Sequence, residues 1–434
     1  MKKLKKISNK IKEILKVAGP GVITGAADDD PSGIATYSQT GAQFGYGQLW
    51  TAFLALPFLT AVQEACARIG AVTGKGLAAV IKTHYNKKVL FIAVGLVCIA
   101  NTINIGADIG AMAAAAKLIL PQIDFTIFAL FFTALILVLE IFLNYKKYSK
   151  ILKWFVLSLL AYPITVFMIA QPWSEIARAT FMPHFEFGFA FFFVITGVLG
   201  TTISPYMFFW EASQEVEEER TKHLIRKTGR IFGLKKIVHN LKIDNFMGML
   251  FSQIGSWCII VVAATVLHGH GITNINTAAD AAKALEPLVS TFPNAGLLSK
   301  LIFAIGVIGL GLLGVPVLSG SASYALSEAM NWRDGLNLKF KKAHGFYGVI
   351  TIATIVGLGI NFIGIDPMKA LVFTAVFNGV VSIPLLFLIA KIARNKEIMG
   401  EYRSGVFSSI LVWSTFAIMS LSAVFMFVAL ARGM

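Results

Sequence analysis

Three consecutive aspartates, Asp28, Asp29 and Asp30, stand immediately before Pro31-Ser32-Gly33 inside an apolar stretch running from about residue 18 to 43. One charged residue at the centre of a membrane helix costs about 2.5–3.5 kcal/mol on insertion scales. Three adjacent carboxylates also repel one another. The plain alternative is a solvated position at the membrane surface. Asp28 lies about ten residues inside the stretch, too deep for that, and no Lys or Arg occurs within it as an ion-pair partner. A bound cation relieves both the burial and the repulsion. Carboxylate oxygens suit hard ions such as magnesium, calcium or manganese. Asp30, next to the proline, is the expected centre of such a site, with Asp28 and Asp29 beside it.

A second apolar stretch carries the same kind of interruption, Gly200-Thr201-Thr202-Ile203-Ser204-Pro205-Tyr206. Proline removes a backbone donor and clashes with the preceding turn, so each stretch is expected to form a broken helix. Backbone groups left unpaired at membrane depth are tolerated only where they line a cavity. The two breaks are five spans apart, the offset of two inverted five-helix repeats whose broken helices meet at a midplane substrate site. Val22-Ile23-Thr24-Gly25 before the first break is echoed by Val194-Ile195-Thr196-Gly197 before the second.

The elements that must position these residues are membrane helices. Of 434 residues, 56% are hydrophobic and 14% charged, and the mean hydropathy is +0.72. Soluble domains carry about 25% charged residues. Apolar spans fall near residues 18–43, 48–70, 89–118, 122–144, 152–171, 187–212, 243–267, 297–324, 346–362, 367–390 and 406–431. Each approaches the roughly 20 residues a bilayer requires, and the short alternating segments of a membrane barrel are absent. With eleven spans and a cytoplasmic N-terminus, nearly all of the 38 Lys and Arg residues fall on the cytoplasmic side. The exceptions are Lys117, Arg178, Lys283, Lys300, Lys369 and Arg432 outside, and Arg68 within a span. That asymmetry is the positive-inside signal, and it puts the C-terminus outside. It also disposes of the net charge of +15 as a nucleic-acid signal, because the basic residues sit in short loops. Residues 1–16 are basic and amphipathic, with Leu4, Ile7, Ile11, Ile14 and Leu15 on one face. A helix lying on an anionic cytoplasmic leaflet is expected there. Cys66, Cys98 and Cys258 are far apart within apolar spans and read as buried apolar residues.

The run Asp30-Pro31-Ser32-Gly33-Ile34-Ala35-Thr36, continued by Gly41-Ala42-Gln43-Phe44-Gly45-Tyr46 and Leu49-Trp50, resembles the first helix of the Nramp family. Ala67-Arg68 and Val72-Thr73-Gly74-Lys75 extend the similarity, and Thr202-Ile203-Ser204-Pro205 resembles the family's sixth-helix motif. The match is specific over residues 19–76 and looser afterwards. The resemblance implies an all-α integral membrane protein of the LeuT-type fold, two inverted five-helix repeats plus an eleventh helix, transporting manganese or iron with protons. The expected layout is a basic segment at 1–16 and one transport domain over 17–434. Within it, repeat one covers about 17–172, repeat two about 187–391, and the extra helix about 406–431. Implied ligands are Asp30 and backbone carbonyls near Ala27 and Thr201. Two positions depart from the family. Gly33 stands where its Asp-Pro-Gly-Asn motif has Asn, and Ser204-Pro205-Tyr206 replaces Met-Pro-His. A thioether favours soft transition metals, and oxygen donors favour harder ions. Ser204 and Gly33 also leave room for a cation that keeps part of its water. The pattern looks like the Nramp-related magnesium transporters, so magnesium is the expected cargo, with manganese next.

The family's proton machinery is thinned. Tyr206 and Glu211 stand where it has histidines, and the ninth span lacks its arginine pair. Asp108, beside Asn101 and Asn104, is a cavity-lining group, a remnant of a proton path or a hydrogen-bonded acid. Asn378 either contacts the hydrated ion or bonds a neighbouring helix. Glu64 and Arg68, four apart, are expected to pair. Glu215, Glu217, Glu218 and Glu219 read as a solvated charge run, and Gly306, Gly309, Gly311 and Gly314 as packing residues.

The function read from these residues is import of a hard divalent cation by alternating access in the plasma membrane, as secondary transporter or uniporter. The metal is cargo, not cofactor, and the partners are that ion and the bilayer. The alternatives are a proton-coupled manganese and iron transporter and a LeuT-type carrier of organic solutes. The last would need donors for a carboxylate and no acidic triplet. A membrane metalloenzyme would show an H-E-x-x-H pattern, which the sequence lacks, as it lacks a Walker A loop. The sequence sets no oligomeric state.

Overall fold

A computed structural model describes residue 25 and residues 28–142, 157–221 and 233–433. The basic segment 1–16 and Ala27 lie outside the described residues. The main helices are α1 Pro31–Phe44, α2 Trp50–Thr73, α3 Lys87–Ile119, α4 Phe125–Phe142, α5 Ala161–Met168, α6 Phe189–Thr202, α7 Pro205–Thr221, α8 Leu234–Val262, α9 Ala295–Met330, α10 His344–Ile360, α11 Pro367–Arg394 and α12 Val406–Arg432. No strand occurs among the described residues. Among the described residues, eight helices are long and apolar enough to span a bilayer, α6 and α7 together forming one of them. The expected ninth span is α10, a helix of 17 residues. The first and fifth are described in part, as α1 and α5.

Both breaks fall where proline and polar residues place them. Asp30 is extended at φ −65° and ψ 174°, and caps α1 by accepting from Gly33 N. Pro31 follows at the first helical position, where its missing N–H costs nothing. Between α6 and α7, Ile203 and Ser204 leave the helix and Pro205 restarts it.

Burial sorts the bundle into centre and periphery. Every residue from Pro31 to Ala42 is buried, as is 94% of the apolar window of α6–α7. Only 28% of α4 and 33% of α12 are buried over the same length. Those outer helices present Ile127, Leu130, Phe131, Ile410 and Val424 outward, as lipid-facing helices do. The broken helices thus sit at the core. Against them α3 packs along α9 and α6 along α11. A methyl group on Gly200 would overlap Ala375 O and Gly379 N, so α6 and α11 touch backbone to backbone there. The expected pair of Glu64 and Arg68 forms at 3.2 Å. Arg68 Nη2 also donates to Ser404 Oγ at 2.7 Å, tying α2 to the α11–α12 connection.

The acidic run on α7 departs from the solvated reading, because Glu215, Glu217 and Glu219 are buried. Glu217 shows why. Its carboxylate accepts from the Tyr324 hydroxyl and from the amides of Leu336 at 3.1 Å and Asn337 at 2.6 Å. Glu328 does the same nearby, accepting from Ala79 N at 3.0 Å and Ser213 Oγ at 2.8 Å. Two carboxylates therefore fasten this end of α7 to α9 and its following loop. Hydrogen bonds to a charged group are worth about 1.5–3 kcal/mol each. Glu217→Gln is expected to loosen the fastening, and hydrogen exchange at the Leu336 and Asn337 amides should accelerate about tenfold or more. Unchanged protection at those amides would count against the fastening.

Candidate cation site

The two breaks meet. Ser32 Oγ on α1 lies 3.2 Å from Thr201 Oγ1 on α6, and Tyr37 OH lies 2.8 Å from Thr202 Oγ1. Asp30, 1% exposed, is the acid at that junction. Its Oδ1 accepts from Ser32 Oγ at 2.6 Å and from Gly33 N at 2.9 Å. Its Oδ2 accepts from Asn104 Nδ2 on α3 at 3.1 Å. These donors hold the carboxylate in one orientation, as a ligand needs its supporting shell to do.

The triplet does not act as one group. Asp28 and Asp29 turn away from Asp30 toward α8. Ser252 Oγ donates to Asp28 Oδ2 at 2.6 Å and lies 3.4 Å from Asp29 Oδ1. Ser256 Oγ also lies 3.4 Å from Asp29 Oδ1. Among the described residues, no three carboxylate, imidazole or thiol groups converge on one point. Successive residues at a helix break diverge, so one carboxylate serves the junction and two serve the α8 side.

Two more of the sequence-selected residues, Gly33 and Ser204, stand at the junction. A β-carbon on Gly33 would stand 3.4 Å from Asp28 O and 3.6 Å from Thr201 Oγ1. A side chain there enters the gap between the breaks. Ser204 Oγ lies 2.7 Å from the carbonyl oxygens of both Gly200 and Thr201. Its proton goes to one of them, and its lone pairs stay free. Asn378 on α11 is buried with both amide atoms unpartnered. Of the two roles expected of it, contact with the hydrated ion or a helix–helix hydrogen bond, the second is not formed. Asn104, Ser32, Ser252 and Ser256 were missed as site residues. The spacing of Ser252 and Ser256, one helical turn apart in an apolar helix, is the signal that could have found the last two.

A cavity of about 730 Å³ approaches from one side, lined by Gln39, Ala107, Asn274, Lys369 and Thr374 among others. Ala107 neighbours Asp108, and Thr374 lies one turn from Asn378.

The pattern that defines the Nramp family, described as natural resistance-associated macrophage protein-like, matches residues 21–429. The chain belongs to the Nramp family. A divalent metal cation transporter MntH of Caldanaerobacter subterraneus subsp. tengcongensis is 26% identical over 90% of this chain and 88% of that protein. One from Klebsiella pneumoniae strain 342 is 25% identical over 89% and 87%. Among solved structures, the Eremococcus coleocola manganese transporter, in complex with an aromatic bis-isothiourea substituted compound, has the same fold. The TM-score is 0.72 at 15% identity, over 95% of this chain and 86% of that one. Mhp1, a nucleobase-cation-symport-1 family transporter in a closed conformation, matches at a TM-score of 0.56 and 11% identity, over 95% and 90%. This Nramp chain is thus an all-α integral membrane protein of the LeuT-type fold, as expected. The magnesium branch draws no support from these relatives, whose names give divalent metal and manganese.

Proposed function

We propose that this Nramp protein is a secondary transporter or uniporter that imports a hard divalent cation by alternating access, with manganese as its first cargo. The observation that carries this reading is Asp30, buried and oriented where the two broken helices meet. Broken helices in such folds direct their freed backbone groups at the ion. The names of the relatives favour manganese over magnesium. Magnesium stays as a second reading on one observation, the junction residues Asp30, Ser32, Thr201, Ser204 and Asn378 offering oxygen and amide donors without sulfur. Manganese accepts such donors as well. The site residues proposed are Asp30, the Thr201 and Ala27 carbonyls, Ser204, the space over Gly33, and Asn378, while Asp28 and Asp29, expected beside Asp30, are engaged by Ser252 and Ser256 on the α8 side. The protein is placed in the plasma membrane, with its N-terminus in the cytoplasm on the strength of the loop charges.

Uptake into proteoliposomes, compared for manganese, magnesium, calcium and iron, tests the reading. Saturable manganese uptake is expected, with magnesium competing. A pH-sensitive dye inside the vesicles should show little acidification, because Tyr206 replaces a histidine and α10 carries no Lys, Arg, Asp or Glu. Proton influx that scales with metal influx would select the proton-coupled manganese and iron transporter instead. Absence of saturable uptake of any of the four metals would end the cation reading.

A further inference from the structure

We propose that Asp108 supplies the second negative charge of the cation site, facing Asp30 across Gly314. The inference rests on the reading of Asp30 as the site's centre. On α3, Asn101, Asn104 and Asp108 share one face at intervals of three and four residues, and all three are fully buried. Asn101 Nδ2 donates to Leu318 O at 2.9 Å, and Asn104 donates to Asp30. Asp108 alone of the three makes no hydrogen bond, through either oxygen. Its Oδ2 points to Gly314 on α9. The point where a β-carbon of residue 314 would stand lies 3.2 Å from Asp30 Cβ and 3.7 Å from Asp108 Oδ2. The absent side chain of Gly314 thus leaves a space that borders both acids.

A buried acid without a partner is costly and is retained where something charged arrives. Among the described residues no basic side chain pairs with either Asp108 oxygen. Neither α1 nor α10 contains Lys or Arg. The one basic residue of α9 is Lys300, fourteen residues and so about 21 Å along the helix from Gly314. A divalent ion beside Asp30 alone would keep one uncompensated positive charge in a low-dielectric setting. Asp108 cancels it. The pair of carboxylates then favours a divalent over a monovalent cation, because a monovalent ion would leave the site negative.

The test is manganese binding to the purified full-length protein in detergent by calorimetry, a readout independent of transport. Asp108→Asn is expected to weaken manganese binding at least tenfold, and Asp108→Glu to restore part of it. Gly314→Ala, which removes no charge, puts a methyl group between the acids and is expected to weaken binding similarly. It carries the test if Asp108→Asn does not fold. Wild-type affinity in Asp108→Asn, or in Gly314→Ala where only that variant folds, overturns the inference. A retained affinity with an altered pH dependence of uptake would instead make Asp108 a proton carrier, which also overturns it. Failure of the underlying site looks different, since Asp30→Asn would then bind manganese as the wild type does, or the wild type would not bind it at all.

Discussion

Asp30→Ala is expected to remove saturable manganese and magnesium uptake while the protein stays folded in detergent. Asp30 has two roles that separate in size. As the N-cap of α1 it satisfies Gly33 N, and losing a cap costs about 0.5–2 kcal/mol. As the charged ligand of a desolvated ion it is worth more. Removing one partner of a buried charge pair costs about 2–5 kcal/mol, which at 1.4 kcal/mol per decade is a roughly 30- to 4,000-fold loss of apparent affinity. Asp30→Asn isolates the charge, because asparagine also caps helices well. That variant should match the wild type in thermal stability and still fail to transport. Near-normal uptake by either variant would remove Asp30 from the site.

The positions of both breaks were legible in sequence because each pairs a proline with polar residues inside an apolar span. The Glu64–Arg68 pair was legible because both residues lie on one helix face. What sequence could not supply was direction. Whether Asp28, Asp29 and Asp30 converge or diverge depends on backbone angles at the break, and these are set by what packs around it. Asn104 meets Asp30 from α3, and Ser252 meets Asp28 from α8, contacts spanning 74 and 224 residues of chain. The buried glutamates of α7 have the same origin. A run of four acids reads as solvated until a distant loop brings the Leu336 and Asn337 amides to Glu217. Asn378 shows the converse. A buried amide in a membrane helix suggests a helix–helix bond, but the close approach of Gly379 to Gly200 brings α11 against α6 without giving that amide a partner.

Ser204→Met is expected to turn the site toward softer metals. Ser204 stands where the Nramp motif has its thioether, at the break and 1% exposed. Its hydroxyl rests against the Gly200 and Thr201 carbonyls, so the wild-type position offers oxygen only. A methionine adds a sulfur donor and occupies volume that a partly hydrated ion would use. Sulfur binds cadmium and iron better than magnesium, and magnesium gives up its water reluctantly. The single variant should therefore lose magnesium competition and gain cadmium or iron binding. Gly33→Asn should reinforce the change, because its side chain starts 3.4 Å from Asp28 O and 3.6 Å from Thr201 Oγ1, in the gap between the breaks. The Tyr37 ring, 3.3 Å from the same point, must give by a few tenths of an ångström. The bland outcome is a uniform fall for every metal, as overpacking at a tight helix junction costs about 1–3 kcal/mol. Competition by magnesium, manganese and cadmium against labelled manganese, measured on both single variants and the double, separates the two outcomes. A changed rank order assigns selectivity to these two positions. An unchanged rank order with lower uptake throughout would leave Ser204 as a packing residue and return the choice of metal to Asp30 and its neighbours on α3 and α11.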